Sequence, residues 1–178
     1  MDYLQIIEKH YRKGSGLYDI LLGHSAEVAR KALEVAARHP ELDIDRRFLE
    51  EAAMVHDIGI FKTRAPSIQC HGEEPYLRHG VLGAELMRRE GYPAHARVCE
   101  RHTGTGLTKE EIAAQQLPLP HIDLVPESVE EQVICFADCF FSKTKLGVEK
   151  TVEDVRRKMQ GFGDRSRGQF DAWCAAFL

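Results

Sequence analysis

The chain has 178 residues, 43% of them apolar and 29% charged, which excludes a disordered or collagen-like polymer. At about 150 residues per domain, one domain is expected over 1–178, able to bury roughly 70% of its surface without disulfides or a structural metal. The net charge is −4, a poor match to a surface that grips nucleic acid through many phosphates.

The apolar residues recur mostly at spacings of three and four, so the reading is all-helical. A short helix over about Tyr3 to Arg12 is broken by Gly14-Ser15-Gly16. A long one from about Leu17 to Arg38 turns Leu21, Val28, Ala32 and Val35 inward, with His24 on the same stripe. Pro40 ends it, and Asp45 reads as the N-cap of a third helix with Phe48, Ala52 and Val55 facing in. That helix ends at His56-Asp57-Ile58-Gly59, where Gly59 is expected in a left-handed C-cap.

A polar loop from about Lys62 to Pro75 follows, then a helix from about Leu77 to Glu90 with His79, Leu82, Gly83 and Leu86 on one face. Pro93 opens a helix that carries Val98 and, four residues on, His102. Thr108 with Glu111 and Ser128 with Glu131 are capping boxes. The stretch between them, LPLPHIDLVP, is too rich in proline for helix. The helix after Ser128 places Val133, Ile134, Ala137 and Phe141 inside, with Asp138 on the inner side. Two amphipathic helices close the chain, one from Thr151 and one carrying Phe170, Trp173 and Phe177. No strand pair is expected.

The five cysteines, Cys70, Cys99, Cys135, Cys139 and Cys174, are odd in number and form no C-x-x-C, so a reducing cytoplasm is the expected location. The N-terminus reads as no signal peptide, and no apolar run approaches the ~18 residues of a membrane span. The chemistry lies in the histidines. His24, His56, Asp57, His79, His102 and Asp138 all sit on or beside inward faces, and all are metal-ligating types. A buried Asp without a partner is costly, and Asp138 stands in the apolar run Val133 to Ala137. Asp57 at a helix C-terminus meets the negative end of the dipole, which a cation would offset. Imidazole and carboxylate donors suit Fe, Mn, Zn, Co or Ni. Singly, each such residue is more often a hydrogen-bonded core side chain. His10, His39, His95 and His121 read as surface residues.

The order His24, His56-Asp57, Asp138 resembles the H…HD…D pattern of the HD superfamily of metal-dependent phosphohydrolases. The text HDIG at 56–59 is that family's commonest form. It lies 32 residues after a helical His and 81 before a helical Asp. RHGVLGAELMRREG and ERHTGTG are similar to the subset that holds two metals, and the likeness covers about 18–145 of a single HD-domain helical bundle. The resemblance implies that His24, His56, Asp57 and Asp138 hold a first divalent transition metal. Asp57 would bridge to a second, completed by His79 and His102. It implies a phosphomonoesterase or phosphodiesterase acting on a small phosphorylated molecule, such as a nucleotide or dinucleotide.

Lys62, five residues after Asp57, is a candidate catalytic and phosphate-gripping residue beside Asp57, with the bland reading of a loop charge equally weighted. Arg64 is a second candidate for gripping the phosphate, His71 is a candidate substrate contact that the pattern does not fix, and Arg101 beside His102 and Lys143 one turn after Asp138 are weaker substrate-binding candidates. The runner-up functions are a di-iron HD-fold oxygenase and a ligand-sensing module without catalysis. No nucleic acid or membrane partner is expected, and a homodimer stays open.

Overall fold

The computed structural model describes all 178 residues. Helix α1 runs Tyr3–His10, capped by the Asp2 carboxylate on the Gln5 amide. Helix α2, Gly16–Arg38, starts where Ser15 accepts from the Tyr18 amide, so the break at 14–16 is a cap as much as a flexible joint. Helix α3, Arg46–Val55, starts on Asp45 as the sequence predicts. Then come α4 (His79–Arg89), α5 (Pro93–Arg101), α6 (Lys109–Ala114), α7 (Val129–Asp138), α8 (Val152–Gln160) and α9 (Asp164–Phe177). The capping boxes at Thr108, Ser128 and Thr151 all form.

Two departures lie between α3 and α4. The 62–75 loop carries a small antiparallel pair, β1 (Arg64–Ala65) and β2 (Cys70–His71), where no strands were expected. Two residues per strand are too few for a period-two pattern to register. Gly59 is right-handed, at φ −83° and ψ −5°, and not in the expected left-handed cap. Its missing side chain serves packing instead. A Cβ there would lie 2.2 Å from the His79 carbonyl oxygen and 2.4 Å from the Gly83 nitrogen, both backbone atoms of α4. The glycine lets the HDIG turn press against the first turn of α4, which carries His79.

The apolar side chains form two main clusters. One joins α2, α3, α7, α8 and α9 through Val28, Leu49, Ile134, Phe136, Trp173 and their neighbours. The other joins α1, α2, the HDIG turn, α4 and α5 through Ile7, Leu21, Ile58, Met87 and Cys99. Each fully buried side chain of this size contributes about 1.5–3 kcal/mol relative to exposure. Leu21 belongs to the second cluster and Val28 to the first, as do Val55 and Met54 in turn. His24 and His56 therefore stand at the seam between the two cores, where burial is complete but the apolar packing is interrupted. His95, read as a surface residue, is buried against Phe48 and Tyr92, with Nε2 3.5 Å from Glu51. No helix is long and apolar enough to cross a membrane.

Candidate metal centre

Six side chains from five segments converge at the seam. His24 projects from the middle of α2, His56 caps α3, and Asp57 follows in the turn. His79 opens α4, His102 caps α5, and Asp138 ends α7. His24, His56, Asp57 and Asp138 form one group whose donor atoms lie within 4.8 Å of one another, and Asp57, His79 and His102 form a second. All are buried except Asp138, whose side chain is 19% exposed.

The two oxygens of Asp57 face different groups. Oδ2 is 2.9 Å from His56 Nε2 and 3.2 Å from His24 Nε2. Oδ1 is 3.4 Å from both His79 Nε2 and His102 Nε2. Asp138 Oδ1 lies 2.9 Å from His24 Nε2. Yet His24 Nε2, His56 Nε2 and Asp57 Oδ1 are buried without a hydrogen bond, and Asp57 Oδ2 meets the Lys143 ammonium as an ion pair. The atoms are close, but they point at common positions and not at one another. Buried polar atoms left this way are costly unless something else meets them. Convergence without pairing is what a cation-binding donor set requires.

The histidine tautomers support the same reading. His56 Nδ1 donates to the Ala53 carbonyl at 2.6 Å, His79 Nδ1 to Tyr76 at 2.7 Å, and His102 Nδ1 to Cys99 at 2.7 Å. A carbonyl only accepts, so in the neutral ring the proton sits on Nδ1 and Nε2 offers its lone pair. Each acceptor is three residues back; Ala53 and Cys99 lie in the last turns of α3 and α5, where carbonyls lack helical partners, and the Tyr76 carbonyl also accepts the His79 backbone N–H. Nε2 of His79 and Nε2 of His102 then face each other at 3.0 Å. Two lone pairs at that distance repel unless a positive charge lies between them or one ring is protonated. The donor set therefore fits divalent metal, and the backbone carbonyls are the outer partners that metal-bound imidazoles ordinarily use.

Burial alone would raise the Asp57 carboxyl, but Lys143 and His56 beside it hold it well below the usual range. Asp138 is likewise held low against its burial, by His24 and His56. His56 is pushed up to about 10, because Asp57 and Asp138 outweigh the desolvation that opposes its charge. His79 is pushed down to about 3, chiefly by burial.

Beside the cluster opens a cavity of about 330 Å³, walled by His24, His79, His102, Asp138, Tyr76 and Lys143. Lys143 enters from the loop after α7, its Nζ 2.6 Å from Asp57 Oδ2. Tyr76 stacks on His79 with centroids 4.7 Å apart, and its hydroxyl is raised to about 12 by burial and by Asp57. The chain brings together all six expected ligands and Lys143. It does not bring Lys62, Arg64 or His71 to them. Lys62 lies against Phe61, its ammonium 5.9 Å from that ring, because the turn after Gly59 carries it away from the cavity. Arg64 and His71 are exposed partners in the β pair. Arg101 is held by Glu127 and the Val125 carbonyl. Tyr76 was missed. An aromatic three residues before a histidine carries no sequence signal that separates it from core.

An all-helical bundle with His and Asp donors at its centre is the HD arrangement. The chain belongs to the HD domain family, which matches residues 21–141, and that is a superfamily of metal-dependent hydrolases. The chain is 33% identical over 135 residues to the tRNA (cytidine(56)-2'-O)-methyltransferase of Picrophilus torridus, covering 75% of this chain and 35% of that protein. The namesake from Thermoplasma volcanium is 32% identical over 145 residues, covering 80% and 38%. An uncharacterized protein of Methanocaldococcus jannaschii is 34% identical over 140 residues, covering 77% and 73%. The chain thus spans little more than a third of the length of the two methyltransferases. No solved structure matches it significantly.

Proposed function

We propose that this chain is a metal-dependent phosphohydrolase acting on a small phosphorylated molecule, with two divalent transition metals shared across Asp57. The observation that carries this reading is the splitting of the Asp57 oxygens between two largely buried groups of metal-ligating side chains. His24, His56, Asp57 and Asp138 would hold one ion, and His79, His102 and the other Asp57 oxygen the second. Bound there, the ions would neutralise phosphoryl charge and make water a nucleophile near neutral pH. The chain's own contribution is positional. Lys143, at the cavity wall, is the cation that meets a phosphoryl oxygen, and its place beside Asp57 keeps it charged. The Tyr76 hydroxyl, kept protonated, is a donor to the same phosphate.

Methyl transfer is not carried over from the two named relatives. Most of each lies outside the match, and we assign that activity to the unmatched part. The matched part supports a hydrolase module that is joined to other sequence in those two relatives. The net charge of −4 supports a small-molecule substrate over RNA. The test is elemental analysis of protein purified without added metal, paired with phosphate release from p-nitrophenyl phosphate and a nucleotide panel in Mn²⁺. Two ions per chain with phosphate release are expected. An aerobic iron requirement with no release from any phosphoester would overturn the proposal in favour of an oxygenase.

A further inference from the structure

Residues 1–20, with the whole of α1, lie outside the segment that matches the HD family. They are nevertheless built into the core beside the metal centre. Ile6, Ile7 and Tyr11 are buried in the cluster that also holds Val55, Ile58 and Ile60, so α1 packs directly on the HDIG turn.

Tyr11 makes the closest polar contact between the two. Its ring lies edge-on to Phe61 with centroids 5.2 Å apart, which aims the hydroxyl at the turn after Asp57. There the hydroxyl donates to the Ile58 carbonyl at 2.8 Å and accepts from the Phe61 N–H at 3.4 Å. The backbone on either side is bonded three residues back at each step. Ile60 N–H donates to Asp57, Lys62 to Gly59 and Thr63 to Ile60. In that pattern the Phe61 N–H would donate to the Ile58 carbonyl. The hydroxyl stands between those two groups instead, a spacer supplied from 47 residues away. Ile58 is fully buried, so its carbonyl depends on this bond.

Asp57 immediately precedes Ile58, and its carboxylate turns with the peptide that joins them. The other five donors are held elsewhere. His24 and Asp138 belong to α2 and α7, and the rings of His56, His79 and His102 are fixed by their own carbonyl bonds. We infer that Tyr11 is the positioning residue for the bridging carboxylate, a part of the metal centre that lies outside the HD-matching segment. The hydroxyl keeps the turn open, and the open turn lets the Asp57 oxygens divide between the two groups. Without it, the Phe61 N–H and the Ile58 carbonyl are free to close on each other, and Asp57 rotates. The four-donor group then keeps three well-supported ligands, whereas the group of His79 and His102 keeps two. The ion of that second group therefore depends more on Tyr11. The inference rests on the two-ion part of the reading above and not on the hydrolysis.

Tyr11→Phe removes one oxygen and leaves the ring against Phe61. Metal-free wild-type and variant chains are titrated with Co²⁺ under nitrogen. Calorimetry reads affinity, and the visible bands of bound Co²⁺ read the donor set. His102→Ala marks which binding step belongs to the second group. In Tyr11→Phe that step should weaken by about 10–100-fold, the usual effect of losing an outer partner of a ligand, with altered bands, while the other step stays within about threefold. Ile7→Val is the control for a looser α1, because it trims a fully buried side chain of that helix and leaves the hydroxyl in place. It should lower the melting temperature and leave both affinities and the bands as in the wild type. Wild-type affinities and bands in Tyr11→Phe overturn the positioning role and leave the two-ion reading standing. Equal weakening by Ile7→Val does the same, since it traces the effect to helix docking alone. A wild-type chain that takes up a single ion overturns both. Selective loss of the second ion in Tyr11→Phe supports the inference whether or not a phosphoester is cleaved.

Discussion

Replacing Gly59 by alanine tests whether the HDIG glycine is there for packing or for backbone conformation. The backbone at 59 is right-handed, so alanine fits it without strain. Fewer conformations of the unfolded chain would then favour the variant by about 0.4–1 kcal/mol. Against this, the new methyl lies 2.2 Å from one backbone atom of α4 and 2.4 Å from another. That is roughly 1 Å inside an ordinary contact. Backbone cannot rotate away as a side chain can, so the first turn of α4 must shift. Overpacking of this kind costs about 1–3 kcal/mol. The packing term wins, and the net loss is about 1–2 kcal/mol, or several degrees in melting temperature at about 2–4 °C per kcal/mol for a chain of this length. The displaced turn holds His79, so catalysis should fall by about 10²-fold, the usual effect of a 1 Å misplacement. The control is Gly168→Ala in α9, where nothing lies within 4 Å of an added Cβ. It should gain about 0.5–1 kcal/mol from helix propensity. Thermal unfolding and phosphatase rate of the two variants side by side check both signs. A Gly59→Ala protein as stable and active as wild type would refute the close-packing account.

Lys143→Ala removes the cation at the metal cavity but no ligand; bound metal should persist while turnover falls by about 10²-fold, whereas Lys62→Ala should leave kinetics unchanged. Asp57→Ala should abolish both ion sites, and His102→Ala should spare the four-donor one, as read by metal content per chain. Metal binding should release protons at pH 7 to 8, because His56 holds one up to about 10 in the metal-free cluster and must give it up to bind. Calorimetry in Tris and in PIPES measures that release, and the absence of any would contradict the ligand assignment. In the metal-free protein the two histidines act oppositely on stability. His56, with its raised value, stabilises fully below its ordinary value of about 6.5, and that contribution is lost as pH rises through about 10. His79, lowered to about 3, favours folding above about 6.5, and its contribution declines as pH falls from there toward 3. Urea midpoints of metal-free protein across that range check the two slopes.

The helices were legible because their ends are written locally. Asp45, Thr108, Ser128 and Thr151 are all side-chain caps in the structure, and each was a sequence signal. The six donors were legible because each falls on an apolar period or at a helix end. What failed did so where proximity in sequence and in space part company. Lys62 is near Asp57 in the chain, but a single 3-10 turn at 60–62 takes it to another face. Lys143, a candidate from its place one turn after Asp138, does reach Asp57, from the loop that follows α7. A glycine at a helix end suggests a left-handed cap, but the constraint on Gly59 comes from the α4 backbone at His79 and Gly83, which is distant in sequence.

The carbonyl bond of His56, and that of His102, ties the metal centre to the fraying of a helix. Ala53 and Cys99 lie in the final turns of α3 and α5, and each must stay wound for its histidine to keep Nε2 aimed inward. Release of an ion and unwinding of a helix end are then one thermodynamic event seen from two sides. Whatever holds those turns shut sets how long the protein keeps its metal, and a loaded centre in return lends its binding energy to those helix ends.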